Sequence, residues 1–426
     1  MTGSSLLATE GGAARWTSPF CLLLCDTLDV RADASGTALA LGGGECAGAR
    51  SALPRFSPGP SAAGPLVDGR STSPDDACAA AARILAGSRQ PLFGGLGTDV
   101  AGARALYRLA SETGAICDAA GGEALMHTVR PLQDRGGYGT TLAEVRNRAD
   151  LVVCLGGLPT GGAAELLARC GVGAGGAPRR ELVVLGGSPA DPGALQPEAV
   201  ALQGDLFDTV ALLSALVARR AVPDAAPGLA TLADRLLAAR YGVIVGQADM
   251  LPAQGALIVE GVQRIVSTLN GSTRAAAMWL GGGNGAGTVN QVFTWLCGLP
   301  LRSRAGAIAP EHDPVCFGAA RLLQEQAVDS LLWISCFDPD CAPPSSLQVP
   351  LVVLGHPELA ASASHAGSVF IPVSTPGIGS PGHLFRADGG AVLPLVPVYR
   401  DSLPTLAEVL GDIVQRVPAL RAEALP

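Results

Sequence analysis

The sequence predicts an α/β protein of several lobes, built on doubly wound, mostly parallel sheets. Short runs rich in β-branched residues end in glycine, and Ala/Leu-rich stretches of helical period alternate with them. These runs are apolar along nearly their whole length, which means that both faces of each sheet are covered. Strand–helix alternation of this kind dictates right-handed crossovers between parallel neighbours.

The elements follow in order. Residues 1–50 form a head that carries three cysteines, Cys21, Cys25 and Cys46. Residues 51–75 are rich in Pro, Ser and Gly and read as a linker or long surface loop. Residues 76–240 make a first α/β lobe, with strands over 91–96, 151–157 and 181–187. Helices over 76–86, 100–113, 161–170, 206–220 and 229–240 alternate with those strands. Residues 241–373 make a second lobe, with strands over 242–246, 277–281, 330–336, 350–355 and 368–372. Its helices run over 254–269, 288–297 and 316–326. Two lobes are needed because the strands outnumber what one sheet comfortably holds. In the last section, 374–426, residues 374–394 are expected to wrap as loops and an amphipathic helix over 405–417 closes the chain.

Composition narrows the function. The formal net charge of −8 argues against nucleic acid and anionic membranes, since both require a basic footprint. All 29 basic residues are arginine, so Schiff-base chemistry, a Walker-type phosphate lysine and a lysine general base are excluded. Only 15% of residues are charged against 48% hydrophobic. Either part of the exterior is covered by other subunits, or the many small residues raise hydropathy without making a sticky surface. No apolar run reaches the roughly 18 residues of a spanning helix, and no signal segment is legible, so the expected location is the cytoplasm. Eleven scattered cysteines fit a reducing compartment.

Cys21, Cys25 and the distant Cys46 stand at the separations of an iron–sulfur ligand set whose first member, position 18, is serine. A serine hydroxyl deprotonates far less readily than a thiol and is a hard ligand for a soft cluster. The three cysteines could still hold a [3Fe–4S] cluster, or one completed by Ser18. The reading favoured by Leu22-Leu23-Leu24 between the first two is a remnant whose thiols pack as small hydrophobes.

Gly281-Gly282-Gly283-Asn284-Gly285-Ala286-Gly287 follows a strand and opens a helix, a place where bare amides could cradle a pyrophosphate. It does not follow the G-x-G-x-x-G spacing, and a tight turn is the favoured reading. The five histidines show no metal-ligand spacing, and no serine sits in G-x-S-x-G.

Four segments resemble the B subunit of formylmethanofuran dehydrogenase, a molybdopterin-oxidoreductase-like family. They are Pro19-Phe20-Cys21…Cys25-Asp26 with Cys46; Thr141-Leu142-Ala143-Glu144-Val145-Arg146-Asn147-Arg148-Ala149-Asp150-Leu151; Val289-Asn290-Gln291-Val292-Phe293-Thr294-Trp295…Gly298-Leu299-Pro300; and Phe385-Arg386-Ala387-Asp388-Gly389. The resemblance implies that family's multi-lobed fold. It also exposes departures. Members active as dehydrogenases carry V-[CU]-H-G-P before T-L-x-E-V, whose Cys or selenocysteine binds tungsten or molybdenum. Here Cys117 is followed by Asp118 where histidine is expected, and Leu301-Arg302-Ser303-Arg304 replaces D-F-S-R.

With both the cluster and the metal segment altered, the chain looks most like the B subunit of the bacterial formyltransferase/hydrolase complex. That likeness implies a non-catalytic scaffold beside hydrolase, formyltransferase and small C-type subunits and a furan carrier. No catalytic residue, metal or cofactor is then expected, the ancestral pterin and [4Fe–4S] having been lost. Gly283, Gly285, Arg386 and Asp388 would be vestiges of the pterin pocket, and Cys21, Cys25, Cys46 and Cys117 vestiges of the metal ligands. The alternatives are an active Mo/W-pterin dehydrogenase chain using Cys117, and a nucleotide- or pterin-binding regulator using the Gly281–Gly287 loop.

Overall fold

A computed structural model describes residues 15–33, 38–57, 63–160, 162–173, 180–187, 197–306, 308–345 and 347–424. The first fourteen residues of the head and residues 58–62 of the expected linker lie outside the described residues.

The chain divides into two compact units. The first comprises Met1–Gly122, Gly282–Arg386 and Val392–Pro426. The second comprises Glu123–Gly281 and Ala387–Ala391. This differs from contiguous lobes over 76–240 and 241–373. The strand Pro91–Gly97 pairs with Ser330–Ser335, and Leu151–Leu155 pairs with Gly242–Gln247. Long-range strand pairing, invisible to composition, therefore sets the division.

The first unit is organised by a nine-stranded sheet. Its five central strands, Ile116–Cys117, Pro91–Gly97, Ser330–Ser335, Leu351–Gly355 and Ser368–Pro372, are parallel neighbours in that order. All residues of the last four are buried, as continuous apolar strands covered on both faces must be. Short antiparallel pieces complete both edges: Ser303–Ala305 and Pro310–His312 on one side, Leu66–Val67 and Arg70–Ser71 on the other. The core on one face gathers Leu92, Ile116, Leu331, Trp333, Val353 and Phe370. Against the sheet pack Pro74–Gly87 and Val100–Thr113, and Leu406–Ala424 packs on those two helices.

The second unit holds a five-stranded sheet, all parallel, in the spatial order Ala275–Leu280, Gly242–Gln247, Leu151–Leu155, Glu181–Leu185, Glu198–Val200. Numbered along the chain this is 5-4-1-2-3, the doubly wound order whose direction reverses between the first and fourth strands. The helices Leu206–Val217, Pro227–Ala238 and Ala256–Leu269 bury Val210, Leu213, Leu232, Leu236, Val262 and Ile265 against one face of that sheet.

Two segments read as loops contain strands. Residues 374–394 include Gly382–Phe385, which pairs antiparallel with Val392–Leu395. The expected linker contributes Leu66–Val67 and Arg70–Ser71 to the sheet edge. In the head, Asp29–Ala32 and Leu39–Gly43 form a separate antiparallel ribbon. No helix among the described residues is long and apolar enough to cross a membrane.

Candidate metal centre

Cys21, Cys25 and Cys46 meet in the first unit. All three are buried, and their sulfurs lie within 4.8 Å of one another. The Cys21 and Cys25 sulfurs are 3.3 Å apart, and the three thiols are free. The local backbone explains this meeting. Leu24 N–H donates to Cys21 O (2.9 Å) and Ser18 N–H donates to Cys25 O (2.8 Å), so residues 18–25 close into a tight loop. Leu24 sits at φ +47°, left-handed backbone that a non-glycine residue adopts only at a cost.

Cys46 arrives from the start of the short helix Ala47–Ala52, where its sulfur accepts from Ala49 N–H at 3.5 Å. The helix can approach because residue 48 is glycine. A Cβ there would stand 2.2 Å from the carbonyl oxygen of Phe20.

Ser18 completes the group. It is fully buried, its hydroxyl accepts from Phe20 N–H (3.3 Å), and it hydrogen-bonds the Cys46 thiol. Cys46 is the acidic member. Hydrogen bonds with Cys21 and then Cys25, with smaller help from Ala49 N–H and Ser18, lower its pKa against the effect of burial. Cys25 moves the other way, raised first by its bond with Cys21 and then by that with Cys46.

Cys117 lies elsewhere in that unit. It ends the strand Ile116–Cys117, is almost wholly buried, and burial pushes its thiol up. Its neighbour Asp118 is held by Arg302, whose Nε donates to Oδ1 at 3.3 Å, with both side chains over nine-tenths buried. Ala319 N–H also donates to Asp118 Oδ2 (2.8 Å), and Arg302 donates to the carbonyl of Pro314. Burial raises the Asp118 carboxyl, and the Arg302 guanidinium works against it.

The Gly281–Gly287 loop folds on itself. Gly287 N–H donates to Gly282 O (2.9 Å) and Ala286 N–H to Gly283 O (3.1 Å), so two amides at the helix start are already engaged. Gly285 has φ +77°, and a Cβ on it would stand 2.4 Å from Thr98 O. A Cβ on Gly283 would meet Leu22 at 3.3 Å, so that leucine packs towards this loop. Arg386 follows the strand Gly382–Phe385 and is partly buried. Asp388, counted with the second unit, accepts from Leu142 N–H at 3.0 Å, so it serves a helix start. His383 is exposed, and its backbone N–H donates to Asp99 (3.3 Å). The vestigial candidates are thus scattered, and among them only the three head cysteines converge.

No family model matches the chain. It is 32% identical to the B subunit of the formyltransferase/hydrolase complex Fhc from Methylorubrum extorquens strain AM1 over 357 residues, 82% of this chain and 96% of that protein. The crystal structure of the formyltransferase/hydrolase complex FhcABCD from the same organism, in complex with methylofuran, contains a chain of like fold. The TM-score is 0.74 at 31% identity, covering 83% of this chain and 99% of that one.

This chain belongs to the family of Fhc B subunits. Its fold is accordingly the multi-lobed α/β arrangement, and the subunits of that assembly are its family's partners.

Among the described residues, neither the three head cysteines nor Cys117 offers the ligand set that a [4Fe–4S] cluster or a pterin-bound metal takes. A [4Fe–4S] cluster takes one thiolate per iron. Three are present, the fourth position is a hydroxyl, and the sulfurs crowd closer than ligands on separate corners of a cube. A pterin-bound metal needs an accessible thiolate. Cys117 is instead a buried thiol with its pKa pushed up, beside a carboxylate already committed to Arg302.

Arg302 is the residue whose role the sequence concealed. Its segment is readable as a departure from the dehydrogenase pattern, but its ion-pair partner, Asp118, lies 184 positions earlier. The available signal was a pair of opposite charges, each embedded in an apolar stretch.

Proposed function

We propose that this chain is a non-catalytic scaffold of a cytoplasmic formyltransferase/hydrolase complex in methylotrophic one-carbon metabolism. In that complex a formyl group passes from a tetrahydromethanopterin carrier to a furan carrier and is released as formate by hydrolysis. Hydrolase, formyltransferase and small C-type subunits carry or support the chemistry, and this chain holds them in register. It needs neither a molybdenum or tungsten pterin nor an iron–sulfur cluster for that task.

The observation that carries this reading is the Asp118–Arg302 pair. Asp118 stands beside Cys117 where the dehydrogenases have a histidine taking part in the chemistry, and Arg302 stands in the altered segment after Gly298-Leu299-Pro300. A buried ion pair tolerates little else at that position, because loss of either partner strands the other charge. Two departures that compensate each other describe a site rebuilt for packing.

Exposed apolar side chains supply a means of holding partners. In the first unit Trp295 is 64% exposed and Val396 51%, and in the second Leu257 is 53% exposed.

The test is to purify the complex with and without this chain. Loss of assembly, with molybdenum, tungsten and pterin absent from the intact complex, supports the scaffold. Full assembly and both activities without the chain would overturn it, as would stoichiometric tungsten or molybdenum bound to it.

A further inference from the structure

We propose that Cys21, Cys25 and Cys46, with the Ser18 hydroxyl in the fourth position, bind a single tetrahedral Zn2+ ion that ties the head of the chain together. This goes beyond the scaffold reading and does not depend on it.

Distance decides which kind of metal the group suits. Sulfurs that share one zinc at about 2.3 Å lie roughly 3.8 Å apart at the corners of a tetrahedron. The observed separations, 3.3 Å for Cys21–Cys25 and at most 4.8 Å among the three sulfurs, bracket that value. They are too long for a disulfide bond of about 2.05 Å.

The loop is shaped for the same purpose. The turn from Cys21 to Leu24 and the left-handed backbone at Leu24 bring two cysteines four positions apart to face one point. Strain held at one residue beside converging ligands is what an ion can stabilise. Of the three leucines between them, Leu22 packs towards Gly283.

Chemistry agrees with geometry. Soft thiolates select zinc among the common divalent ions, and zinc needs no redox partner or special electronic geometry. A hydroxyl oxygen serves zinc as a fourth ligand far better than it serves an iron–sulfur cube, so Ser18 is a lesion for the cluster and tolerable for the ion. The second shell is present as well: Ala49 N–H points at the Cys46 sulfur and Phe20 N–H at the Ser18 oxygen. Binding releases the thiol protons to solvent, with no change of oxidation state.

The experiment uses the full chain purified under reducing conditions. Elemental analysis is expected to find about one zinc per chain, released when a mercurial titrates the thiols, with no iron or sulfide. Replacement by Co2+ should give thiolate charge-transfer bands and the intense visible bands of a tetrahedral site. Chelation should lower the Tm, and added zinc should restore it. Cys46→Ala should lose the metal. Should that variant fail to fold, Ser18→Cys decides, because a fourth thiolate must slow zinc loss to EDTA relative to the natural chain. Iron with acid-labile sulfide, a metal-free chain whose three thiols all react on denaturation, a Cys21–Cys25 disulfide, or an EDTA rate unchanged by Ser18→Cys would each overturn the assignment.

Discussion

Arg302 and Asp118 form a buried ion pair in the first unit, Nε to Oδ1 at 3.3 Å. They come from segments 184 residues apart that both depart from the dehydrogenase pattern. Both charges are more than nine-tenths buried, so each depends on the other and on fixed hydrogen-bond partners, Ala319 N–H for the carboxylate and Pro314 O for the guanidinium. Arg302→Met should therefore cost about 3 kcal/mol or more, because it leaves a buried carboxylate alone. Adding Asp118→Asn, which keeps an oxygen for Ala319 N–H, should recover at least about half of that loss. Chemical denaturation of the two single variants and the double variant measures the coupling. Additive losses would mean that the pair is not a unit.

Asp388 joins two of the segments that carry the family resemblance. Its Oδ2 accepts from Leu142 N–H at 3.0 Å, at the first turn of the helix Leu142–Arg148, whose Thr141 already caps Glu144 N–H. A short helix has most of its N–H groups at its ends, so a second acceptor there matters. Asp388→Ala should destabilise the second unit by about 1–2 kcal/mol, the usual worth of a cap. Hydrogen exchange at residues 142–145 should quicken in the variant. Unchanged exchange there would show that the contact contributes nothing.

Much of this architecture is legible in the sequence for a physical reason. Strands such as Leu151–Leu155 and Leu351–Gly355 are buried on both faces, so their apolar runs are continuous and unmistakable. Strands such as Arg70–Ser71 and Ser303–Ala305 owe their conformation to a neighbour already in the sheet and have no pattern of their own. The helix Gly122–Arg135 contains Pro131, which breaks the local signal that would announce it. At the candidate site, the cysteine spacing announces a ligand set. The distance that separates one ion from a cluster depends on Gly48 and the left-handed Leu24, which composition does not reveal.

His356 gives a pH dependence with a definite sign. It is 3% exposed, its Nδ1 accepts from Glu358 N–H (3.2 Å), and its ring meets Phe56 edge-on at 5.0 Å. Burial, with the Arg55 charge nearby, lowers its pKa from 6.5 to about 4. The folded state therefore stays neutral while the unfolded chain takes up a proton as pH falls from about 6.5 to 4. Since the unfolded state binds more protons in that window, stability falls with falling pH, by roughly 2–3 kcal/mol at pH 4.5. In His356→Asn the loss of stability between pH 7 and pH 4.5 should be smaller than in the natural chain by about that amount. Equal losses would place the histidine in water, free to titrate normally.

Trp295 tests how the scaffold meets its partners. It sits near the end of the helix Ala286–Cys297, 64% exposed, with its ring edge-on to Phe385 at 4.8 Å. Phe385 is paired across the ribbon with Val392, itself 43% exposed, so the three side chains make one apolar surface. An exposed tryptophan backed by an aromatic contributes little to its own fold, under about 1 kcal/mol here. Buried by a partner, such a residue is commonly worth about 2 kcal/mol or more, roughly a thirtyfold change in Kd. Trp295→Ala should therefore leave the Tm of the isolated chain nearly unchanged while weakening its retention in the complex by about that factor. A Tm that falls together with retention would assign Trp295 to folding. Retention unchanged would move the partner surface to another face.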